Sequence, residues 1–536
     1  MPVVENKGLK WLVRKVKGIR GQLEMKMVFK PSFNFARDKH QLKKTEYGYN
    51  IQSGSLNLDL ISKSPLVVVD NEYGGQIESS FLIKENDIVV FIMKETFDSI
   101  EIIPKHLYRL PEDTEKLENE AFISTIFYWQ KWLEKCTYKG RWREIVERSA
   151  LALKLMTFEP TGAIIASPTC SLPEGIGGQR NWDYRYCWLR DCSFSVYGLI
   201  RIGFTEEAHN FMRFLEQRCA DAVYDDPNRM PLRIMYSIHG ESNIPEIELN
   251  HLSGYRDSKP VRIGNDAVNQ VQMDIFGELM DSIYLSNKYG SLVSYDFWLH
   301  IRNMIDWVAE NYHWKDEGIW EVRSGKQHFV YSKIMCWVAL DRGLRLADRR
   351  SFPAPREKWT KARDTLYEEI QQKGYDKEMH SFTQYYGGKS LDASTLIMSL
   401  VFFMAPSDPR NINTLKAILK PPEEGGLVAN SLVFRYNLQH AQDGLDGEEG
   451  TFNICTFWLI EGLTRAGKYN KEFLVKARLI FDEMLGYANH LGLFSEELGI
   501  GGESLGNFPQ AFTHLSLISA AFNLDRVLSG KSNTNA

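Results

Sequence analysis

The 536-residue chain has no C-x-x-C pair, no H-E-x-x-H sequence and no run of about 18 apolar residues. The first two absences argue against a dedicated zinc site, and the third against a membrane-spanning helix. The N-terminal stretch MPVVENKGLKWLVRKVKGIRGQ is basic but has no uninterrupted apolar core, so it does not read as an export signal. Seven cysteines are an odd number for so long a chain, and Cys187, Cys192, Cys336 and Cys455 sit among apolar or aromatic neighbours. That usage points to reduced, buried thiols in a cytoplasmic protein. Charge of one sign is also scarce: 64 Lys and Arg against 69 Asp and Glu leave −5, with no long basic block. The electrostatic footprint of a nucleic-acid binder is therefore missing. Low-complexity sequence is confined to a short polar tail, and residues 531–536 are expected to fray.

What is present is ordinary globular composition, 43% hydrophobic and 25% charged, in a length that suits three to four units of about 150 residues. From Leu23 to Ile103, runs such as LEMKMVFKPSFNF and DIVVFIM alternate or are rich in β-branched residues, and turn clusters such as DNEYGG break them. Residues 1–110 are read as an all-β domain and 111–139 as a linker. Beyond that the period changes to 3.6. Helices are expected to begin near Arg141, Asp191, Thr205, Val268, Val293, Tyr331, Arg356, Leu391, Arg410, Thr451, Lys471 and Gln510. Twelve helices with long connections fit a closed double ring, six inside and six outside, better than a bundle. Such a ring over 140–530 gathers its loops at one end. Three of them, 167–190, 231–267 and 421–450, are long enough to carry function.

The densest segment is Arg180-Asn-Trp-Asp-Tyr-Arg-Tyr-Cys-Trp-Leu-Arg-Asp191, with three arginines, two aspartates and four aromatics in twelve residues. Aromatic faces stack on sugar rings, and Arg and Asp bond hydroxyls through charge-assisted contacts. A salt-bridge cluster capping a helix would use similar residues, with Asp191 favourable at the helix start. Glu321 follows Trp320, and an indole that desolvates a carboxyl raises its pKa as a general acid requires. An exposed loop glutamate beside a packed tryptophan is the commoner arrangement. The pair Glu496-Glu497, with Glu503 nearby, could include a base that activates water, or could be surface acid flanking a helix. The tract 443–451 reads equally as a cation or sugar site and as a turn before an N-cap. Gly462-Leu-Thr-Arg-Ala-Gly-Lys468 has phosphate-loop spacing, but Tyr469 replaces the needed Ser or Thr and no strand precedes it, so it reads as a helix end.

Taken in order, these segments resemble the prokaryotic-type branch of glycoside hydrolase family fifteen, the glucoamylase family, which includes glucoamylases, glucodextranases and trehalases. The resemblance runs from 180–191 through His251-Leu-Ser-Gly-Tyr-Arg256, Pro260-Val-Arg-Ile-Gly-Asn265, Gly318-Ile-Trp-Glu-Val-Arg323, Ser332-Lys-Ile-Met335, Ser381-Phe-Thr-Gln384 and Gly447-Glu-Glu-Gly-Thr-Phe452. It closes with Ser495-Glu-Glu497 and Gly506-Asn-Phe-Pro-Gln-Ala-Phe512. It implies an all-α six-hairpin toroid, or (α/α)6 barrel, preceded by a β-sandwich, and exo-hydrolysis with inversion that releases β-glucose from a non-reducing end. Carried over residue by residue, it implies Glu321 as general acid and Glu496 as general base. Arg190 and Asp191 would grip the terminal glucose, Trp188 and Trp320 would wall it, and Arg262, Arg435 and Glu449 match less specifically as pocket residues. The matching residues begin within the sandwich, at Leu12 to Phe35, so an N-terminally incomplete sandwich is expected.

No metal or organic cofactor is required by that mechanism, and the expected partner is a small oligosaccharide or glucan. A disaccharide phosphorylase on a similar toroid would use phosphate as nucleophile and lack the base carboxylate, so Glu496 argues for hydrolysis. A non-catalytic sugar-binding regulator would be expected to have lost one of the two carboxylates. The loops at 231–267 and 421–450 carry many charges but only Tyr236, Tyr255, Phe434 and Tyr436 as aromatics. They offer few platforms for successive sugar rings, so a disaccharide, trehalose first, is expected over starch.

Overall fold

A computed structural model describes residues 1–3, 10–96, 111–224, 226, 229–437, 441 and 443–530; the tail 531–536 lies outside the described residues. Two compact units are present, Met1–Lys135 and Cys136–Ala536.

The first unit contains strands β1 (Trp11–Lys17), β2 (Gln22–Phe29), β3 (Gln41–Lys44), β4 (Gly48–Ser53), β5 (Leu56–Ser62), β6 (Val67–Val69), β7 (Gln76–Lys84) and β8 (Ile88–Glu95). They form two antiparallel sheets, ordered β1-β8-β5-β4-β3 and β2-β7-β6. Successive strand residues point to opposite faces, so Ile77, Ser79 and Ile83 of β7 are buried while Ser80, Leu82 and Lys84 are exposed. Ile77 meets Ile51 and Leu60 of the other sheet, with Met27, Leu42 and Val68 packed around them. Residues 111–139, expected as a linker, are instead mostly helix: α1 spans Pro111–Leu133. Pro111 at the first position suits a helix start, and the buried Glu118 receives Lys15 of β1 at 3.2 Å, which ties the helix to this unit.

In the second unit each of the twelve segments expected to be helical contains a helix. These are α2 (Arg143–Leu155), α3 (Leu189–Arg201), α4 (Thr205–Ala220), α5 (Ile275–Tyr289), α6 (Tyr295–Asn311), α7 (Val330–Arg350), α8 (Arg356–Lys373), a 3-10 helix (Ala393–Ser399), α9 (Pro409–Ile418), α10 (Asn453–Ala466), α11 (Lys471–Leu485) and α12 (Ala511–Leu528). Packing is cyclic: α3 meets α5, α5 meets α7, α7 meets the 3-10 helix, that helix meets α10, α10 meets α12, and α12 returns to α3. Members of this cycle are buried almost all round, as α7 and α10 are. The helices outside it bury one stripe, such as Trp359, Ala362, Leu366 and Ile370 of α8.

Two elements differ from their sequence pattern. The helix expected from Val268 begins at Ile275. Carboxylates compete for its first amides: Glu317 accepts the Val271 N–H at 2.8 Å and Asp316 the Met273 N–H at 3.0 Å, which holds 271–273 out of the helix. The eighth segment forms a seven-residue 3-10 helix, capped by Asp392 accepting the Ser394 N–H at 2.8 Å. All seven cysteines are free thiols, and Cys170 alone among them is half-buried. No helix among the described residues is long and apolar enough to cross a membrane.

His514 in α12 joins the ring to its loops. Its Nε2 accepts the Phe494 N–H at 3.3 Å, which leaves Nδ1 to donate to Ser149 Oγ at 3.0 Å. Burial holds this imidazole at about 3, below the ordinary 6.5. The folded chain therefore keeps it neutral, whereas the unfolded chain takes up a proton as pH falls through about 6.5. Its contribution to stability is complete above that pH and is lost on acidification. His514→Gln is expected to be less stable than the parent at pH 7.5, with the gap narrowing by about 1.5 kcal/mol between about pH 6.5 and pH 5. A gap that stays constant in denaturant titrations at both pH values would remove the neutral-imidazole assignment.

Candidate active site

Loops at one end of the helix cycle bring residues from four parts of the chain into one narrow cavity. Its lining includes Tyr184, Trp188, Arg190, Asp191, Trp320, Glu321, Arg435, Glu496, Gln510 and Phe512. The dense segment supplies the first four. Cys187–Trp188 pairs with Met235–Tyr236, and α3 starts at once after it. Arg190 and Asp191 are thus fixed on the first turn of a buried helix. Arg190 Nε donates to Asp191 at 2.8 Å, and its Nη1 donates to the Ile319 carbonyl at 2.8 Å. Burial raises the Asp191 carboxyl above its ordinary value, and Arg190 opposes the rise.

Glu321 closes a tight turn in which its N–H donates to the Gly318 carbonyl at 3.2 Å and Val322 N–H to the Glu317 carbonyl at 3.2 Å. Its φ of 59° is left-handed, a conformation that costs a non-glycine residue about 1–3 kcal/mol and concentrates at functional sites. The amides of 271–273 on Asp316 and Glu317 brace this turn, as does Gln270 Nε2 donating to the Glu321 carbonyl at 3.2 Å. Trp188 Nε1 donates to Glu321 Oε1 at 3.0 Å, and Arg190 Nη1 lies 3.8 Å from the same oxygen. Burial raises the Glu321 carboxyl, against the opposing effects of Arg190 and the indole N–H.

Glu496 and Glu497 are adjacent but have different partners. Glu496 lines the cavity, while Glu497, outside the lining, accepts the Gly450 N–H at 2.7 Å. Gln510 Nε2 and the Asn507 N–H donate to Glu496 at 3.2 and 3.3 Å, and the Tyr184 hydroxyl donates to it as well. All three donors favour the ionised form, yet burial outweighs them and lifts the carboxyl to about 7. Gly506 packs against this residue with φ 70°. A Cβ there would lie 2.5 Å from Glu496 Oε2, so only glycine lets the carboxylate take its place.

Among the other residues expected to hold sugar, Trp320 stands in the wall, its Nε1 donating to Asp392 at 2.9 Å and its ring tilted against Phe452 and Trp458. Arg435 also lines the cavity and forms a two-point pair with Glu449, its Nε at 2.8 Å. Glu449 itself is fully buried behind Arg435, with Arg180 Nη1 at 3.2 Å, and is not in the lining. Two guanidiniums absorb its charge, so its place is support for Arg435. Arg262 is not in the lining either: it lies over the Trp182 ring, bonds the Gln179 carbonyl at 2.7 Å and sits 3.3 Å from Glu246. The carboxylates of 246 and 248 draw it outward. Sequence reading passed over Tyr184, Gln510 and Asn507, although Tyr184 stands in the densest motif and the other two in the segment before the last helix. It also missed the indole N–H of Trp188 as a donor to Glu321.

Glu174, Glu496 and Glu497 bring one oxygen each within 4.8 Å of one another, the one such group among the described residues. Arg435 Nη2 stands 4.0 Å from Glu174 and occupies the electrostatic role a cation would have there. Burial and the charge of Glu496 raise the Glu174 carboxyl well above its ordinary value, against the opposing charge of Arg435.

Two carboxyl groups on separate loops, a fixed arginine–aspartate pair and aromatic walls are the equipment of sugar chemistry, and residues 140–522 match the family model described as glycosyl hydrolases family 15. The chain belongs to that family. It is a glycoside hydrolase. The trehalase of Mycobacterium tuberculosis is 38% identical to it over 522 residues, covering 96% of this chain and 73% of that protein. The trehalase of Thermoplasma acidophilum is 36% identical over 501 residues, 93% of this chain and 80% of the relative. Among solved structures, a bacterial glucoamylase complexed with acarbose aligns with TM-score 0.69 at 15% identity, over 98% of this chain and 84% of that one. The fold is glucoamylase-like, helical with a separate N-terminal sheet region.

Because the Tyr184 hydroxyl stabilises the charge on Glu496, Tyr184→Phe should raise the Glu496 pKa further. If Glu496 acts ionised, the acid limb of kcat/KM for hydrolysis should move up by about half a unit to one unit, with the rate recovered at higher pH. An unmoved limb would show that Glu496 does not set it.

Proposed function

We propose that this glycoside hydrolase is an inverting, exo-acting α-glucoside hydrolase that releases β-glucose from the non-reducing end, with Glu321 as general acid and Glu496 as general base. The observation that carries the proposal is the pair of buried carboxyls facing one narrow cavity from separate loops, each pushed above the ordinary carboxylate range by burial. The cyclic packing of six helices, with others outside it, supports an (α/α)6 toroid as the frame.

In the proposed reaction a terminal glucose enters the cavity and Arg190 and Asp191 hold its hydroxyls, with Trp320 as a wall. Glu321 gives its proton to the departing oxygen as oxocarbenium character develops. The charge of Arg190 and the indole N–H of Trp188 then stabilise the carboxylate left behind. Glu496, oriented by Gln510, Asn507 and Tyr184, takes a proton from water attacking the opposite face. Inversion needs the two carboxyls about 6.5–9.5 Å apart to admit that water. The two groups feel each other's charge, so they titrate as a pair, and the competent species has Glu321 protonated and Glu496 ionised.

Trehalose is the substrate we favour. The relatives named trehalase support it, and so does the scarcity of aromatic platforms on 231–267 and 421–450. Glu321→Gln and Glu496→Gln should each lower kcat by about 10²–10⁴ with the melting temperature retained, and a near-parental rate in either would sink its role. On a panel of trehalose, maltose, maltotetraose, isomaltose and starch, trehalose should give the highest kcat/KM, and NMR of early product should show β-glucose first. A rate that climbs with maltodextrin length while trehalose stays inert would return the substrate to glucan, and early α-glucose would exclude inversion.

A further inference from the structure

A second cavity of the helix ring is distinct from the one that holds the carboxylates. It encloses about 350 Å³, within the range of small-molecule sites, and is built from the other halves of the same helices. On α3, Arg190 and Asp191 serve the first cavity and Arg201 the second; eleven residues at 1.5 Å each separate them by about 16 Å. On α10, Ile454 lines the first and Arg465 the second.

Its charge is unbalanced. Arg342 is neutralised by Asp281 and Asp341, each at 2.6 Å, and Arg345 by Asp341 at 2.7 Å. Arg201 and Arg465 have no carboxylate within ion-pair distance among the described residues, and the Nε of each is buried without a hydrogen-bond acceptor. Glu461 is the one remaining acid in the lining; Asn523 bonds it at 2.7 Å, and it feels the charges of Arg465 and Arg201 without forming an ion pair with either. Burial lowers the pKa of the nearby Arg526, and the charges of Arg201 and Arg465 lower it further, which records the crowding of positive charge. A buried donor without an acceptor costs about 1–3 kcal/mol, more when charged, and an anionic ligand in the cavity would offset the excess of positive charge there.

The walls are flat and apolar. Tyr197 and Tyr289 lie beside the Arg201 guanidinium, at 4.8 and 5.9 Å from their ring centres. At the rim Phe402 is 68% exposed, with Arg465 and Arg342 at 5.4 and 5.9 Å from its ring. Its φ of 62° is left-handed, a strained conformation for an aromatic residue that nothing in the core demands of so exposed a ring. Unpaired guanidiniums suit phosphate oxygens, and the rings that flank them suit a planar group. Inorganic phosphate would leave those rings unused.

We propose that this second cavity binds a nucleoside phosphate, with Arg201 and Arg465 holding the phosphate and the ring of Phe402 covering the base. The site is separate from the hydrolytic one and does not depend on which glucoside is cleaved. Calorimetry on the full chain with AMP, ATP, adenosine and inorganic phosphate at constant ionic strength tests it. AMP or ATP should bind saturably, and adenosine and inorganic phosphate each at least about tenfold more weakly. Arg465→Gln and Phe402→Gly should each weaken nucleotide binding about tenfold or more while nucleotide-free hydrolysis stays at the parental rate. Should Arg465→Gln fail to fold, Phe402→Gly still decides, because glycine accepts the left-handed backbone and the lost ring is largely outside the core. Absence of saturable nucleotide binding at millimolar concentration, binding unchanged in Phe402→Gly, or inorganic phosphate binding as tightly as AMP would each overturn the proposal.

Discussion

The guanidinium of Arg435 lies at the centre of the catalytic end. It pairs at two points with Glu449, stands 3.9 Å from Asp443 and 4.0 Å from Glu174, and packs over the rings of Phe452 and Trp320. Around it are more carboxyls than the surrounding arginines can neutralise, all enclosed where an unpaired charge is costly. The two arginines 180 and 435 make that density tolerable, and burial pushes Glu174 toward its neutral form. Without Arg435 the charge on Glu449 would have one fewer partner, and the repulsion felt by Glu496 would grow. The cavity can therefore contain the two ionisable carboxyls of Glu321 and Glu496 because a third group, which need not react, balances the charge behind them.

Rigidity and strain are divided between helices and loops. Arg190 and Asp191 sit on a helix buried on nearly every side, so their rotamers are limited by packing. Glu321 and Glu496 come from loops, where irregular backbone is available but needs bracing. The bracing comes from backbone amides and amide side chains: Gln270 and the 271–273 amides serve one loop, and Gln510 and Asn507 the other. The left-handed Glu321 persists because this network over-determines its turn.

Periodicity made the helices legible, since an apolar stripe such as 359, 362, 366 and 370 admits one reading. The aromatic and charged segment 180–191 marked the cavity for a similar reason: few cores need that mixture. Periodicity failed at 268–274, where the apolar spacing is helical but carboxylates 43 and 46 residues away claim the amides, a tertiary contact no local pattern records. It also failed at 111–139, where charge suggested a linker and a helix formed. Arg262 and Glu449 had the chemistry of sugar contacts, but each found an ion-pair partner nearer than the cavity. Proposing Glu496 over Glu497 was possible only through resemblance, because what distinguishes these adjacent identical residues is which of them lines the cavity. Tyr184 and Gln510 act on another side chain, and a sequence offers no sign of which one.

The return of α12 to α3 closes a circuit between residues more than 300 positions apart. Loop closure over such a span is slow to reach and gives nothing back until it is complete. Glu496 makes the point sharply, since the groups that orient it come from Tyr184 far upstream and from Asn507 and Gln510 just downstream. A nascent chain halted between residues 496 and 510 would have both carboxyls in its sequence but would lack Gln510, one of the groups that orient Glu496. On the proposed assignment, the base would thus gain its full set of orienting groups only as the last helix is made.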